Sequence, residues 1–366
     1  MTRRPNRRDD LAGLTGYHSP QLDVAVRLNT NESPFPPPEG FVAAWRDALA
    51  TMPLHRYPDR DARDLRTVIA TMTASTPEQV MVANGSNEVL QTVFLAYGGA
   101  GRRALVAEPT YALHRHIAQI TGTEVVEIAR NDDFTVDADR MIDAIREHQP
   151  AIVFLCNPNN PTGTIEAVAT VRAVADACDA EGAVLIVDEA YAEFLQDSSA
   201  SALALVAEDR NVVVSRTFSK VWSLASLRLG FAIGPTWFVG DCETVSLPYR
   251  LSIATQLAGI YAPRFGAEMQ SRIDLIVHER EVLVERLAAF PALTAFPSGA
   301  NFVLVRVPGA ARAVWEGLVS HGVLVRDFSS WPGLTDCLRV TIGTEAENDA
   351  FVRALERVLA DKHLGA

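Results

Sequence analysis

The sequence predicts an α/β protein in which a mostly parallel sheet lies between helices and a smaller α+β lobe follows. From about residue 60 to residue 233, short runs of Val, Ile, Leu and Ala alternate with stretches of helical periodicity. That rhythm marks strands buried on both faces of a parallel sheet. After residue 250 the rhythm changes to one long helical segment and then a βαββα order. A chain of 366 residues is also longer than one core usually holds.

Residues 1–40 are rich in Arg, Asn and Pro and end in Pro34, Pro36, Pro37 and Pro38. They read as an extended arm and not as a packed element, lying over a partner subunit or frayed. A helix at 62–72 precedes a strand at 80–83 and a turn at Asn84, Gly85 and Ser86. Helices then fall at 88–97, near 111–121, at 137–148 and at 167–180. Between and after them, strands fall at 104–107, 125–128, 151–155, 184–187, 212–214 and 229–233. In the second lobe a helix at 267–289 carries Arg, Glu and Asp on one face. Strands at 301–305, 323–325 and 338–342 follow, with a helix at 311–321 between the first two and a terminal helix from Glu345. The organisation expected is an arm at 1–40, a large lobe at 41–265 and a small lobe at 266–366 that part of the N-terminal segment completes.

A net charge of -12 and a pI near 5.2 argue against a nucleic-acid or anionic-membrane partner. No stretch approaches the roughly 20 apolar residues of a membrane span. The four cysteines, Cys156, Cys178, Cys242 and Cys337, show no CxxC and no metal spacing, which fits a reduced, cytoplasmic setting. His114 and His116 read as a helix surface, and no metal is expected.

The residues that carry chemistry sit at the ends of the apolar runs, where parallel sheets bind ligands. Asp188 and Tyr191 follow one run; Thr217, Ser219 and Lys220 follow the next; Arg228 comes eight residues after the lysine. A buried lysine near other cations loses its proton and becomes a nucleophile. An acid aimed at a pyridine nitrogen keeps that ring protonated, and two hydroxyls with an arginine suit a phosphate dianion. Together they read as a site for pyridoxal phosphate. Asn84, Gly85, Ser86 and Asn87 before a helix form a phosphate cradle or only an N-cap. Asn160, within a turn holding Asn157, Pro158, Asn159 and Pro161, donates to a ring oxygen or merely shapes the turn. Asp188 alone could be a cap or half of a salt bridge. Arg339, in an apolar strand, is paired to an internal acid or awaits a carboxylate. Arg326 is similar, with Asp327 as its alternative partner. Tyr111 stacks on an aromatic ring or belongs to the core.

Taken in order, these segments resemble the fold-type I aminotransferases, and within them the histidinol-phosphate aminotransferase family. The matching stretches are 27–34, 56–59, 84–88, 109–111, 156–163, 187–191, 216–220, 298–302 and 338–344. The resemblance implies a seven-stranded sheet in the large lobe and pyridoxal phosphate as cofactor. It implies that Lys220 forms an imine with the cofactor and moves the proton, that Asp188 pairs with the ring nitrogen, and that Tyr191 and Asn160 bond the ring oxygen. Tyr111 would stack on the ring, while Gly85, Ser86, Asn87, Thr217, Ser219 and Arg228 would hold the phosphate. Tyr57 would reach the cofactor of a neighbouring subunit, so a homodimer is expected. Arg339 would bind the carboxylate of glutamate or 2-oxoglutarate, Asn31 would face the substrate, and Tyr17, Arg326 and Arg339 would take the phosphate of histidinol phosphate. The chain departs from the family pattern at Ser223, Ser226, Phe35 and Arg250. The changes at Phe35 and Arg250 keep an aromatic-amino-acid aminotransferase in view; beside it stand a related amino-acid-phosphate decarboxylase and, from another class, a cofactor-bearing regulator without turnover, which would need a DNA-binding module for which the chain has neither the length nor the basic face.

Overall fold

Seven strands of the chain align in the order β2-β8-β7-β6-β5-β3-β4 in a computed structural model that describes residues 5–11, 13–16, 20–197 and 200–360. They are β2 (Val80–Ala83), β3 (Arg103–Glu108), β4 (Glu124–Ala129), β5 (Ile152–Cys156), β6 (Val184–Asp188), β7 (Val212–Thr217) and β8 (Gly230–Ile233). All are parallel except β8, which runs antiparallel to both β2 and β7. Every residue of β2, β5, β6 and β8 is buried, which explains why these strands read as unbroken apolar runs. The edge strand β4 is only half covered. Apolar cores fill both faces of the sheet.

A second sheet has the order β1-β11-β12-β10-β9, with β1 (Val26–Leu28), β9 (Thr294–Ala295), β10 (Phe302–Arg306), β11 (Val323–Asp327) and β12 (Cys337–Thr341). It packs against the helices Gly266–Leu287, Ala311–Ser320 and Glu345–Ala360 around its own core. Within residues 1–40, read as an arm of which part completes the small lobe, β1 lies parallel to β11, with Val26 opposite Val323 and Leu28 opposite Val325. Leu28 is 2% exposed and Asn31 1%. A strand of three residues gives no readable period, and its pairing partner lies some three hundred residues away in sequence. The helices Glu39–Ala50, Thr236–Val245 and Ile253–Tyr261 and the short β9 were likewise not anticipated. On the helix Gly266–Leu287, one arginine of the charged face turns inward: Arg280 is buried and donates to the Ala300 carbonyl at 2.9 Å. Among the described residues no helix is long and apolar enough to cross a membrane.

Candidate active site

The register of the large sheet aligns the residues that matter. Cys156 pairs with Asp188 and Asp188 with Ser215, so β5 and β6 end level and β7 runs two residues further, to Thr217. Gly230, which opens β8, pairs with Ala83 on one side and Thr217 on the other. The ends of β2 and β7 and the start of β8 therefore meet at one point. A cavity opens above these ends, closed on its far side by β1, β11 and β12 of the smaller sheet. Its walls include Lys220, Asp188 and Tyr191 from the large sheet and Asn31, Arg326 and Arg339 from the small one.

The anion corner is formed by backbone. The helix Ser86–Tyr97 starts at Gly85, whose φ of 85° lies in the region glycine tolerates best. A Cβ there would sit 2.3 Å from Arg228 Nη2, and a Cβ on Gly230 would sit 2.1 Å from the Ser86 nitrogen. Only hydrogen at both positions lets a guanidinium, a helix N-terminus and two strand ends converge. Arg228 Nη1 donates to Ser219 Oγ at 3.2 Å and to the Ala225 carbonyl at 3.1 Å, and the Ser219 N–H donates to Thr217 Oγ1 at 3.1 Å. This corner offers a dianion free N–H groups, the positive end of a helix and a fixed cation.

Asp188 is buried at the end of β6, with Oδ2 3.3 Å from Nε2 of a fully buried His114. Its Oδ1 is buried without a protein partner. An unpaired carboxylate oxygen inside a protein is costly unless a ligand supplies the proton donor. A protonated ring nitrogen is such a donor, so the site fits a phosphorylated pyridine at both ends. His114 corrects the reading of that histidine as helix surface: it stacks on Phe154 at 4.7 Å and meets Tyr111 edge to face at 5.6 Å. The signal was its place three residues after Tyr111, on the same helix face. Tyr111 itself donates to Asn87 Oδ1 at 3.2 Å.

Lys220 Nζ donates to the Thr30 carbonyl at 3.0 Å and lies 5.9 Å from the Tyr191 ring centroid. Burial, and then the charges of Arg339 and Arg228, bring its pKa down to about 7, against a smaller opposing pull from Glu32. The amine is therefore substantially neutral at neutral pH. Tyr191 accepts N–H bonds from Asn31 at 2.9 Å and Asn160 at 3.4 Å. Burial holds its phenol proton on, pushing the pKa up.

Arg339 and Arg326 face one another across β12 and β11, a register that sequence could not supply. Like charges in directly opposed positions repel, and an anion between them would relieve that repulsion. Arg339 donates to Asn160 Oδ1 at 2.6 Å and to the Asn29 carbonyl at 2.9 Å, both uncharged oxygens. Asp327, the alternative partner for Arg326, is engaged by Arg312 at 3.1 Å and by the Ser329 N–H. Tyr57 does not reach this cavity. It is 80% exposed and stacks on Tyr249 at 4.5 Å. Tyr17 lies outside the described residues. The departures Ser223, Ser226, Phe35 and Arg250 do not line the cavity. Ser223 bonds Ser33, Phe35 packs on the small core and Arg250 pairs with Glu243.

The family model for aminotransferase class I and II matches residues 23–355. The chain is 45% identical over 370 residues to a histidinol-phosphate aminotransferase of Frankia casuarinae, covering 98% of this chain and 91% of that one. It is 44% identical to the histidinol-phosphate aminotransferase of Thermobifida fusca, covering 95% and 94%. The fold is shared with the crystal structure of histidinol-phosphate aminotransferase from Sinorhizobium meliloti in complex with pyridoxal-5'-phosphate. That similarity has a TM-score of 0.84 at 24% identity, over 92% of this chain and 91% of that one.

Proposed function

The chain belongs to the class I and II aminotransferases, and within them to the histidinol-phosphate aminotransferases; on that premise we propose that it uses pyridoxal phosphate to move an amino group from L-histidinol phosphate to 2-oxoglutarate in two successive half-reactions. One observation carries the reading. The cavity joins a cradle for one phosphate, an unpaired acid and a low-pKa lysine to a second anion site at Arg326 and Arg339.

When bound, the protonated pyridine ring draws electron density from the donor's Cα and makes its C–H bond acidic. Asp188 Oδ1 holds the ring proton through which that withdrawal acts. Gly85, Ser86, Asn87, Thr217, Ser219 and Arg228 fix the cofactor phosphate. Tyr111 packs along the ring, and Asn160 and Tyr191 hold the ring oxygen. Lys220 Nζ would anchor the cofactor and, as a neutral amine, would accept the proton from the donor's Cα. Arg326 and Arg339 orient the donor by its phosphate and the acceptor by its carboxylate, with Asn31 beside them. Tyr17 is the remaining candidate for the donor phosphate.

The active unit is read as a cytoplasmic homodimer. Tyr57 stacks on Tyr249, and Leu54 and Leu247, near them in sequence, are also exposed; exposed apolar side chains of this kind are what a second copy covers. There Tyr57 would reach the partner's cofactor phosphate. The aromatic-amino-acid reading rested on Phe35 and Arg250, and neither lines this chain's cavity. Steady-state kinetics test the donor. Histidinol phosphate is expected to exceed phenylalanine in kcat/KM by about a hundredfold, the weight of one or two charge-assisted bonds. A larger kcat/KM for phenylalanine would overturn the assignment.

A further inference from the structure

Asn31 is one of two non-glycine cavity residues with a left-handed backbone, at φ 55°; the other is Arg228, at φ 50°. The Asn31 amide donates to Tyr191 Oη at 2.9 Å, the shorter of the two N–H bonds that reach that oxygen. Its Oδ1 accepts from Thr341 Oγ1 at 3.1 Å, and its backbone N–H donates to the same Thr341 oxygen at 3.0 Å. Its carbonyl accepts from Asn301 Nδ2 at 3.2 Å. Asparagine tolerates the left-handed region better than most residues but does not prefer it. Glycine would satisfy the backbone alone; what asparagine adds is the amide. Thr341 is two residues from Arg339 on β12, so both side chains face the cavity side of the small sheet.

We infer that Asn31 is a positioning residue that clamps the Tyr191 hydroxyl to strand β12, so that the phenol's own O–H is aimed at the ring oxygen of the bound cofactor. A phenol oxygen has two acceptor sites and one hydrogen. Two amide N–H groups occupy the acceptor sites, and the hydrogen is left to turn into the cavity that Tyr191 lines. Asn160 cannot hold the phenol equally well, because its bond is long and its carbonyl end is drawn to Arg339. The inference rests on the pyridoxal-phosphate reading of the site.

An O–H aimed at a ring oxygen stabilises that oxygen as its anion. Loosening it makes proton loss from the bound group harder and raises the pH at which the visible absorption band changes. Asn31→Gly keeps the left-handed backbone and the N–H to Thr341 and removes only the amide. Its titration midpoint is expected to rise by ~1 pH unit, the scale of one hydrogen bond. Thr341→Val should move the midpoint the same way, and Thr341→Ser, which keeps the hydroxyl, should restore the wild-type value. A midpoint unchanged in both Asn31→Gly and Thr341→Val overturns the role of Asn31. If Asn31→Gly does not fold, the Thr341→Val and Thr341→Ser pair decides alone. A wild-type protein that takes up no pyridoxal phosphate and shows no visible band sinks the reading of the site instead.

Discussion

Lys220 is useful because of where its charge would have to sit. An ammonium at that point is stripped of water and faces two guanidinium groups, so its proton leaves near pH 7. Folding thus releases a proton between about pH 7 and the ordinary lysine value near 10.4. The penalty of burying the charge is full below that window and relieved as pH rises through it. Gly85 shows the same economy in steric terms. Alanine there meets Arg228 and must adopt a positive φ, a strain of roughly 1–3 kcal/mol. Gly85→Ala should weaken pyridoxal-phosphate binding about tenfold or more, measured by absorbance titration. Its cofactor-free melting temperature should fall by only a few degrees, the share of that strain the folded chain carries. Unchanged affinity would show that this corner does not hold the phosphate.

At the scale of elements, strand ends do the positioning. Asp188 ends β6 and Asn160 follows β5, strands whose apolar runs made them readable without a structure, and Lys220 follows β7, which opens on three valines. The residues after those runs stood out because polar groups at a dry strand end need a reason to be there. What stayed hidden was non-local. Nothing in the local pattern says that β1 pairs with β11, or that this pairing delivers Asn29, Thr30 and Asn31 to the cavity. The opposition of Arg326 to Arg339 depends on a register between strands eleven residues or more apart. His114 was hidden for a related reason: a helix shows its period, but which neighbour covers the face is decided by packing. The main-chain carbonyls of Thr30 and Asn29, which receive Lys220 and Arg339, leave no mark in sequence at all.

At the scale of the whole molecule, the cavity is a joint between two sheets. The small sheet brings the substrate-side arginines, the large sheet brings the cofactor side, and the segment 29–31 touches both. On the dimer reading, exposed Leu54, Tyr57, Leu247 and Tyr249 would extend the joint to a second subunit. A Leu54→Glu, Leu247→Glu double variant should sediment as a monomer and bind pyridoxal phosphate more weakly, because Tyr57 no longer reaches a partner. A wild-type protein that is monomeric while fully loaded contradicts the shared site.

The sequence contains two lysines, Lys220 and Lys362, of which the second lies outside the described residues. The central claim is that Lys220 is the covalent anchor, and borohydride reduction of the loaded protein followed by peptide mass mapping tests it directly. The account predicts a single phosphopyridoxyl group, on the peptide that carries Lys220, with trapping that rises through about pH 7 as the amine loses its proton. Label on the Lys362 peptide alone, or no label on protein that has taken up the cofactor, would contradict it.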